Sequence, residues 1–193
     1  AAHGEWIALL DSDDTWASNK IERQVQGAVA NGLKVVLCPG HAPQSCGSDS
    51  ERTYKFEELF FVSPGFGSSA LIERNCFETV GLFDEELSSV EDRDMLLRLG
   101  RVYQIGAVHG NYLSLRSHGD NMSHDAAQMK RDFEKVVDKA FGWPEMKERP
   151  FLRALILSYV HWDAAKEWAH TSAQKSLREL VHSLSIWPFP MGR

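Results

Sequence analysis

A short apolar run, Trp6-Ile7-Ala8-Leu9-Leu10, passes directly into Asp11-Ser12-Asp13-Asp14 and then Thr15-Trp16. A run of this length reads as a buried strand, so the carboxylates fall where the chain leaves a sheet. Open α/β sheets bind their ligands at that edge. Side chains alternate along an extended chain, so Asp11 and Asp13 are expected to face the same way and share one target. Such a cluster repels itself unless a cation offsets it, and oxygen ligands of this kind suit hard divalent ions.

The next residues turn the sheet edge into a repeating unit. Asn19 and Glu22 have capping-box spacing, and Ile21, Val25, Ala28 and Val29 fall on one helical face. Asn31-Gly32 ends that helix, and residues 33–38 (LKVVLC) read as a second buried strand, giving a strand, helix, strand unit of the parallel-sheet type. Residues 39–52, rich in Gly, Ser and Pro, read as a loop. A further strand is predicted over 66–72 and a short helix over 73–80, stopped by Gly81.

The second acidic region follows the turn Gly81-Leu82-Phe83-Asp84-Glu85-Glu86-Leu87, which is expected to carry two aromatic or aliphatic anchors. In Ser88-Ser89-Val90-Glu91-Asp92-Arg93-Asp94 either serine can cap a helix running to Leu99 and closing at Gly100, with Met95, Leu96 and Leu99 facing the core. Glu91 and Asp92 then occupy a first turn, where the helix dipole alone favours acidic residues, and Asp94 with Arg98 fits an i,i+4 ion pair. Paired with the first cluster they gain meaning. One carboxylate site suited to a metal and one suited to proton abstraction are what metal-dependent transfer to a hydroxyl requires.

Strands are predicted over 102–108 and 112–117, then a polar loop over 118–123 in which His118 and Asn121, with Arg116 just before it, are further candidates beside a plain turn. From residue 124 the chain reads as helical, with breaks at Trp143-Pro144 and Arg149-Pro150, and residues 151–184 as a helix pair. His161, His170 and His182 read as packing or surface residues.

Composition limits the classes. With 193 residues, 43% hydrophobic and 25% charged, the chain has the balance of a soluble globular protein with room for one domain and a helical appendage. A net charge of −6 lacks the basic stripe of nucleic-acid binding. The absence of a bilayer-length apolar stretch or a signal-like start leads to a cytoplasmic expectation. The end at Trp187-Pro188-Phe189-Pro190 leaves open peripheral membrane association at the inner face. Cys38, Cys46 and Cys76 match no zinc or redox spacing and read as reduced thiols.

The run from Gly4 to Trp16 followed by Lys20-Ile21 resembles the metal-binding segment of family 2 glycosyltransferases of the GT-A fold. Ser68-Ser69-Ala70-Leu71-Ile72, Val80 to Leu87 and Glu91 to Leu99 resemble the acceptor-side segment of the same family, and the likeness covers residues 4–123. It implies an α/β fold with a GT-A-like, Rossmann-like mixed sheet, a partial glycosyltransferase domain over 1–123 and a C-terminal helical extension over 124–193. The implied reaction is inverting transfer from a nucleotide-diphosphate sugar, a UDP-sugar first, to a glycan or glycoconjugate hydroxyl. By the resemblance Asp13 holds Mn²⁺ or Mg²⁺ on the diphosphate, Asp11 sits by the ribose or the metal, and Asp92 is the general base. Glu91 and Asp94 shape the acceptor pocket or helix start, and Asp14, Arg116 and His118 are further candidates. The family usually has proline near Ser18. It also places its nucleotide-binding strands before the metal motif, so the chain is expected to be a C-terminal portion that alone lacks most of the donor site.

Two alternatives stand beside this. Asp11-x-Asp13-x-Thr15, with Gly119-Asp120 and Asp125, resembles a phosphohydrolase of the haloacid dehalogenase type. Against it, Asp14 stands where glycine is preferred and Glu91 to Leu99 is left unexplained. The other alternative is a non-catalytic module that binds a glycan or a partner.

Overall fold

The computed structural model describes residues 3–39, 51–115 and 125–189; candidates Arg116 and His118, with Cys46 and Asn121, lie outside them. The chain divides into two compact units, one of residues 1–84 and 92–119, the other of residues 85–91 and 120–193.

In the first unit, β1 (Trp6–Ala8) leads through the carboxylate turn to β2 (Thr15–Trp16), α1 (Lys20–Asn31) and β3 (Val35–Leu37). β4 (Glu51–Tyr54) is followed by a 3-10 helix (Phe56–Phe60), a 3-10 turn (Gly67–Ser69), β5 (Leu71–Glu73) and α2 (Asn75–Val80). α3 (Glu91–Val102), β6 (Ile105–Val108) and β7 (Leu113–Ser114) complete it. The five-stranded sheet has the order β1-β5-β3-β6-β4, and β2 pairs with β7 separately. Only β3 and β6 pair in parallel; β1 with β5, β5 with β3, and β4 with β6 are antiparallel.

This mixed sheet corrects the simple parallel unit. β1 and β3 run in the same direction, but β5 is inserted between them, with Ile72 opposite both Ile7 and Val35. β1 is therefore an edge strand, half-buried at Trp6 and Ile7 and exposed at Ala8. Burial concentrates where the sheet is covered. Val35, Val36, Leu37 and Ile72 are fully enclosed, as β-branched and apolar side chains of central strands must be. Met95, Leu96 and Leu99 of α3 are buried as the periodicity predicts.

Local departures have identifiable causes. Gly32 does terminate α1 in the left-handed region, φ 62°, donating back to Ala28 and Val29. The Asn19 side chain, however, makes no capping bond. The buried face of α1 is Lys20, Gln24, Gly27 and Ala28, while Val29 is 75% exposed. The strand predicted from residue 66 starts only at Leu71 because the 3-10 turn Gly67–Ser69 occupies its first half. Gly100 does not stop α3, which continues to Val102. In the turn 81–87, Leu87 is buried and Leu82 exposed, while Phe83, also exposed, lies edge-on against Phe66 at 6.1 Å.

The second unit is helical: α4 (Ala126–Phe141), α5 (Pro144–Lys147), α6 (Pro150–Ala169) and α7 (Ala173–Ile186). Pro144 and Pro150 open α5 and α6, where a missing N–H costs nothing. Phe133, Val137, Met146, Ile156 and Val160 form its core. α6 and α7 pair as expected, but through small polar groups. Ser158 Oγ donates to the Ser183 carbonyl and Ser183 Oγ to that of Ser158, while His161 Nδ1 meets Glu179 at 2.6 Å and its ring stacks on His182.

Candidate functional site

The first acidic cluster is a turn rather than an extended strand end. The Asp14 amide donates to the Asp11 carbonyl at 3.2 Å, so the alternation that would align Asp11 with Asp13 does not apply there. Asp11 is exposed, and Asp13 and Asp14 are half-buried.

What holds this turn is the 3-10 turn Gly67–Ser69. Ser68 Oγ accepts the Asp11 amide at 2.9 Å, and the Ser68 carbonyl accepts the Trp16 indole N–H at 2.8 Å. One serine thus secures both ends of the segment 11–16. Gly67 has φ 47°, and a Cβ there would meet Asp11 Oδ2 at 3.1 Å, so glycine is needed both for the backbone and to let the carboxylate lie against it. The two sequence runs behind the family resemblance therefore meet in space.

Beneath the loop lies a buried polar layer. Lys20 is fully enclosed, donating to Gln24 Oε1 at 2.7 Å and standing over the Trp16 ring at 4.2 Å. Gln24 Nε2 donates to the carbonyls of Val36 and Ser69. The Ser69 carbonyl also accepts the Cys38 amide. Burial lowers the Lys20 amine to about 8, with Cys38 opposing, and burial raises the Cys38 thiol to about 11. At neutral pH Cys38 is a protonated, inert thiol. Beside the loop, an open cleft of about 420 Å³ is lined by Thr15, Trp16, Asn111 and Tyr112. A smaller hollow of about 220 Å³ near Asn31, Arg52 and Val108 includes no acidic-motif residue.

In the second cluster, Asp92 is half-buried in the first turn of α3, and its Oδ1 accepts the Arg93 amide at 2.6 Å. Arg93 reaches the Leu59 and Val62 carbonyls, seating α3 on the Phe56–Phe60 helix. Asp94 is buried and pairs with Arg98 at 2.8 Å, and Arg98 also donates to the Val80 and Leu82 carbonyls. This pair holds the Gly81 turn. Glu91 is half-buried at the start of α3.

Sequence reasoning assigned no role to Gly67, Ser68, Lys20 or Gln24. Lys20 and Gln24 have the i,i+4 spacing of a solvated face, and only the fold reveals that the face is inward. Asp125, part of the phosphohydrolase alternative, caps α4 by accepting the Ala127 and Gln128 amides.

The model of the family described as glycosyl transferase family 2 matches residues 1–85. Residues 1–85 are thus similar to family 2 glycosyltransferases. Among curated proteins, the uncharacterized glycosyltransferase RP339 of Rickettsia prowazekii is 26% identical over 147 residues, covering 69% of this chain and 46% of that protein. The uncharacterized glycosyltransferase RT0329 of Rickettsia typhi is 24% identical over 155 residues, with 69% and 46% covered. The chain thus spans about half the length of the curated relatives it matches. Among solved structures, S. aureus TarS 1–349 in complex with UDP-GlcNAc superposes with TM-score 0.62 at 14% identity, over 95% of this chain and 56% of that one. A second S. aureus TarS structure gives 0.59 at 14%, over 97% and 35%. At that identity the likeness to TarS is one of fold. Among the described residues, no helix is long and apolar enough to cross a membrane.

Proposed function

We propose that this chain carries the metal-side and acceptor-side portions of an inverting glycosyltransferase that uses a nucleotide-diphosphate sugar. The observation that carries the reading is the Ser68 clamp, which brings the carboxylate loop of one motif run onto the Gly67–Ser69 turn of the other. A turn secured at both ends with an exposed carboxylate is built to meet a ligand in a fixed geometry.

The donor set fits a hard divalent ion of one kind only. Among the described residues, no group of three His, Cys, Asp or Glu side chains is arranged to hold a metal, so a closed protein cage is excluded there. One or two carboxylates suit Mg²⁺ or Mn²⁺ that takes its remaining ligands from phosphate and water. Asp13 and Asp11 are the residues for that ion, and its chemistry would be Lewis-acid neutralisation of the diphosphate leaving group. Asp92 takes the proton of the acceptor hydroxyl, whose oxygen then attacks the anomeric carbon from the face opposite the diphosphate. Glu91 lines the acceptor side, and Asp94 supports the start of α3. The UDP-GlcNAc complex of TarS supports a UDP-sugar as the first donor to test, with a glycan or glycoconjugate as acceptor and polysaccharide synthesis as the setting.

The experiment is sugar transfer from UDP-sugars in Mn²⁺ by the wild-type protein and by Asp92→Asn. Loss of turnover by about 100-fold or more with donor binding kept is the expected result. Undiminished transfer by Asp92→Asn would assign the base elsewhere.

A further inference from the structure

The least ordinary backbone among the described residues lies just before the second acidic cluster. Val90 has φ 55°, the one non-glycine residue among them with positive φ, and a β-branched residue is strained in that region. Strain of this kind persists only where the surroundings over-determine it.

The surroundings do so here through one carboxylate. Asp132, on α4, is fully enclosed. Its Oδ2 receives the amide and hydroxyl of Ser88 at 3.2 and 3.1 Å, the amide and hydroxyl of Ser89 at 3.1 Å each, and Gln128 Nε2 at 2.9 Å. Lys135 Nζ meets Oδ1 at 2.8 Å. Burial alone would raise this carboxyl, but the hydrogen bonds from Lys135, Gln128, Ser88 and Ser89 outweigh it and hold the group well below the usual carboxylate range. The serines that sequence reasoning assigned as caps of α3 are thus committed to Asp132.

We propose that Asp132 is a positioning residue for the acceptor-side loop. Its carboxylate fixes Ser88 and Ser89, and through them the strained turn at Val90 out of which Glu91 opens α3, one residue before Asp92. The anchor needs a charge because four donors from two successive residues converge on one oxygen, a demand that a neutral amide meets less well. Its functional meaning rests on the acceptor-side reading of Glu91 and Asp92. Its structural content does not.

The test is amide hydrogen exchange across residues 85–95 and α4, α6 and α7 in the wild-type chain, Asp132→Ala and Asp132→Asn, with transfer assayed on the same proteins. Exchange at 88–91 should speed by tenfold or more in Asp132→Ala and by less in Asp132→Asn, which keeps an acceptor oxygen, while α6 and α7 keep their protection. In the transfer assay kcat should fall with donor KM unchanged. Unchanged exchange at 88–91, or protection lost evenly through α4, α6 and α7, would overturn the proposal. If Asp132→Ala does not fold, Asp132→Asn decides by the same two criteria. Absence of transfer in the wild type would count against the glycosyltransferase reading alone, since the exchange result stands without it.

Discussion

Asp11 and Asp132 are the same residue put to opposite uses. Asp11 lies in the turn after an edge strand, exposed, its backbone amide held by Ser68. Asp132 is enclosed and its carboxylate is saturated by Ser88, Ser89, Gln128 and Lys135. A carboxylate whose oxygens are filled from within stabilises a fold, whereas one whose position is fixed by its amide keeps its oxygens for something that arrives. The contrast separates residues that build the site from residues that serve it.

The sharpest way to break this comparison is to truncate both. Asp132→Ala leaves the hydroxyl and amide of buried Ser89, and those of Ser88, without their acceptor and should cost about 3 kcal/mol in denaturant unfolding, whereas Asp11→Ala should stay within about 0.5 kcal/mol of wild type. Equal costs would erase the distinction. Next in size, Gly67→Ala places a Cβ in the left-handed region and against Asp11 Oδ2; about 1–2 kcal/mol of lost stability with shifted amide resonances at Asp11 is the expected result. Ser68→Ala should cost about 1 kcal/mol and speed exchange of the Asp11 amide, leaving α4 untouched.

Two pH experiments sharpen the comparison further. The Asp132 carboxyl is lowered in the folded chain, so its contribution is fully present above its unfolded value of about 3.9 and is lost as pH falls below that. The stability gap between wild type and Asp132→Asn should therefore narrow below about pH 4 and stay constant from pH 5 to 7. Lys20 gives the smallest effect, with the same sign in an alkaline window. Its folded amine is lowered to about 8 from 10.5, so above pH 8 the unfolded chain binds more protons and stability rises with pH. Between pH 8 and 9, below the window from 9.0 to about 11 in which Cys38 acts in the reverse sense, wild type should gain on Lys20→Met.

Features set by neighbouring residues were legible in the sequence. Gly32 ends α1, Pro144 and Pro150 open helices, Asp94 pairs with Arg98, and the carboxylate cluster follows a strand. Each depends on a few adjacent positions. What escaped depends on distant partners. The insertion of β5 between β1 and β3 is a pairing choice that periodicity does not encode. Lys20 and Gln24 carry no role in the sequence pattern, yet both are buried, with Gln24 supplying the donor that the carbonyls of Val36 and Ser69 need. Either Ser88 or Ser89 reads as a cap of α3, yet the helix starts at Glu91, past the reach of a serine cap, and both serines bond a buried carboxylate, 43 residues from Ser89. Val90 contradicts its own backbone preference, as residues beside functional sites do when their neighbours enforce it.

The most direct measurement is paramagnetic broadening of backbone amides by Mn²⁺ in the presence of UDP, in wild type and Asp13→Ala. The account predicts broadening centred on residues 11–14 and 67–69, abolished by the substitution. Broadening centred elsewhere, or unchanged by Asp13→Ala, would contradict the assignment of the carboxylate loop as the metal and diphosphate site.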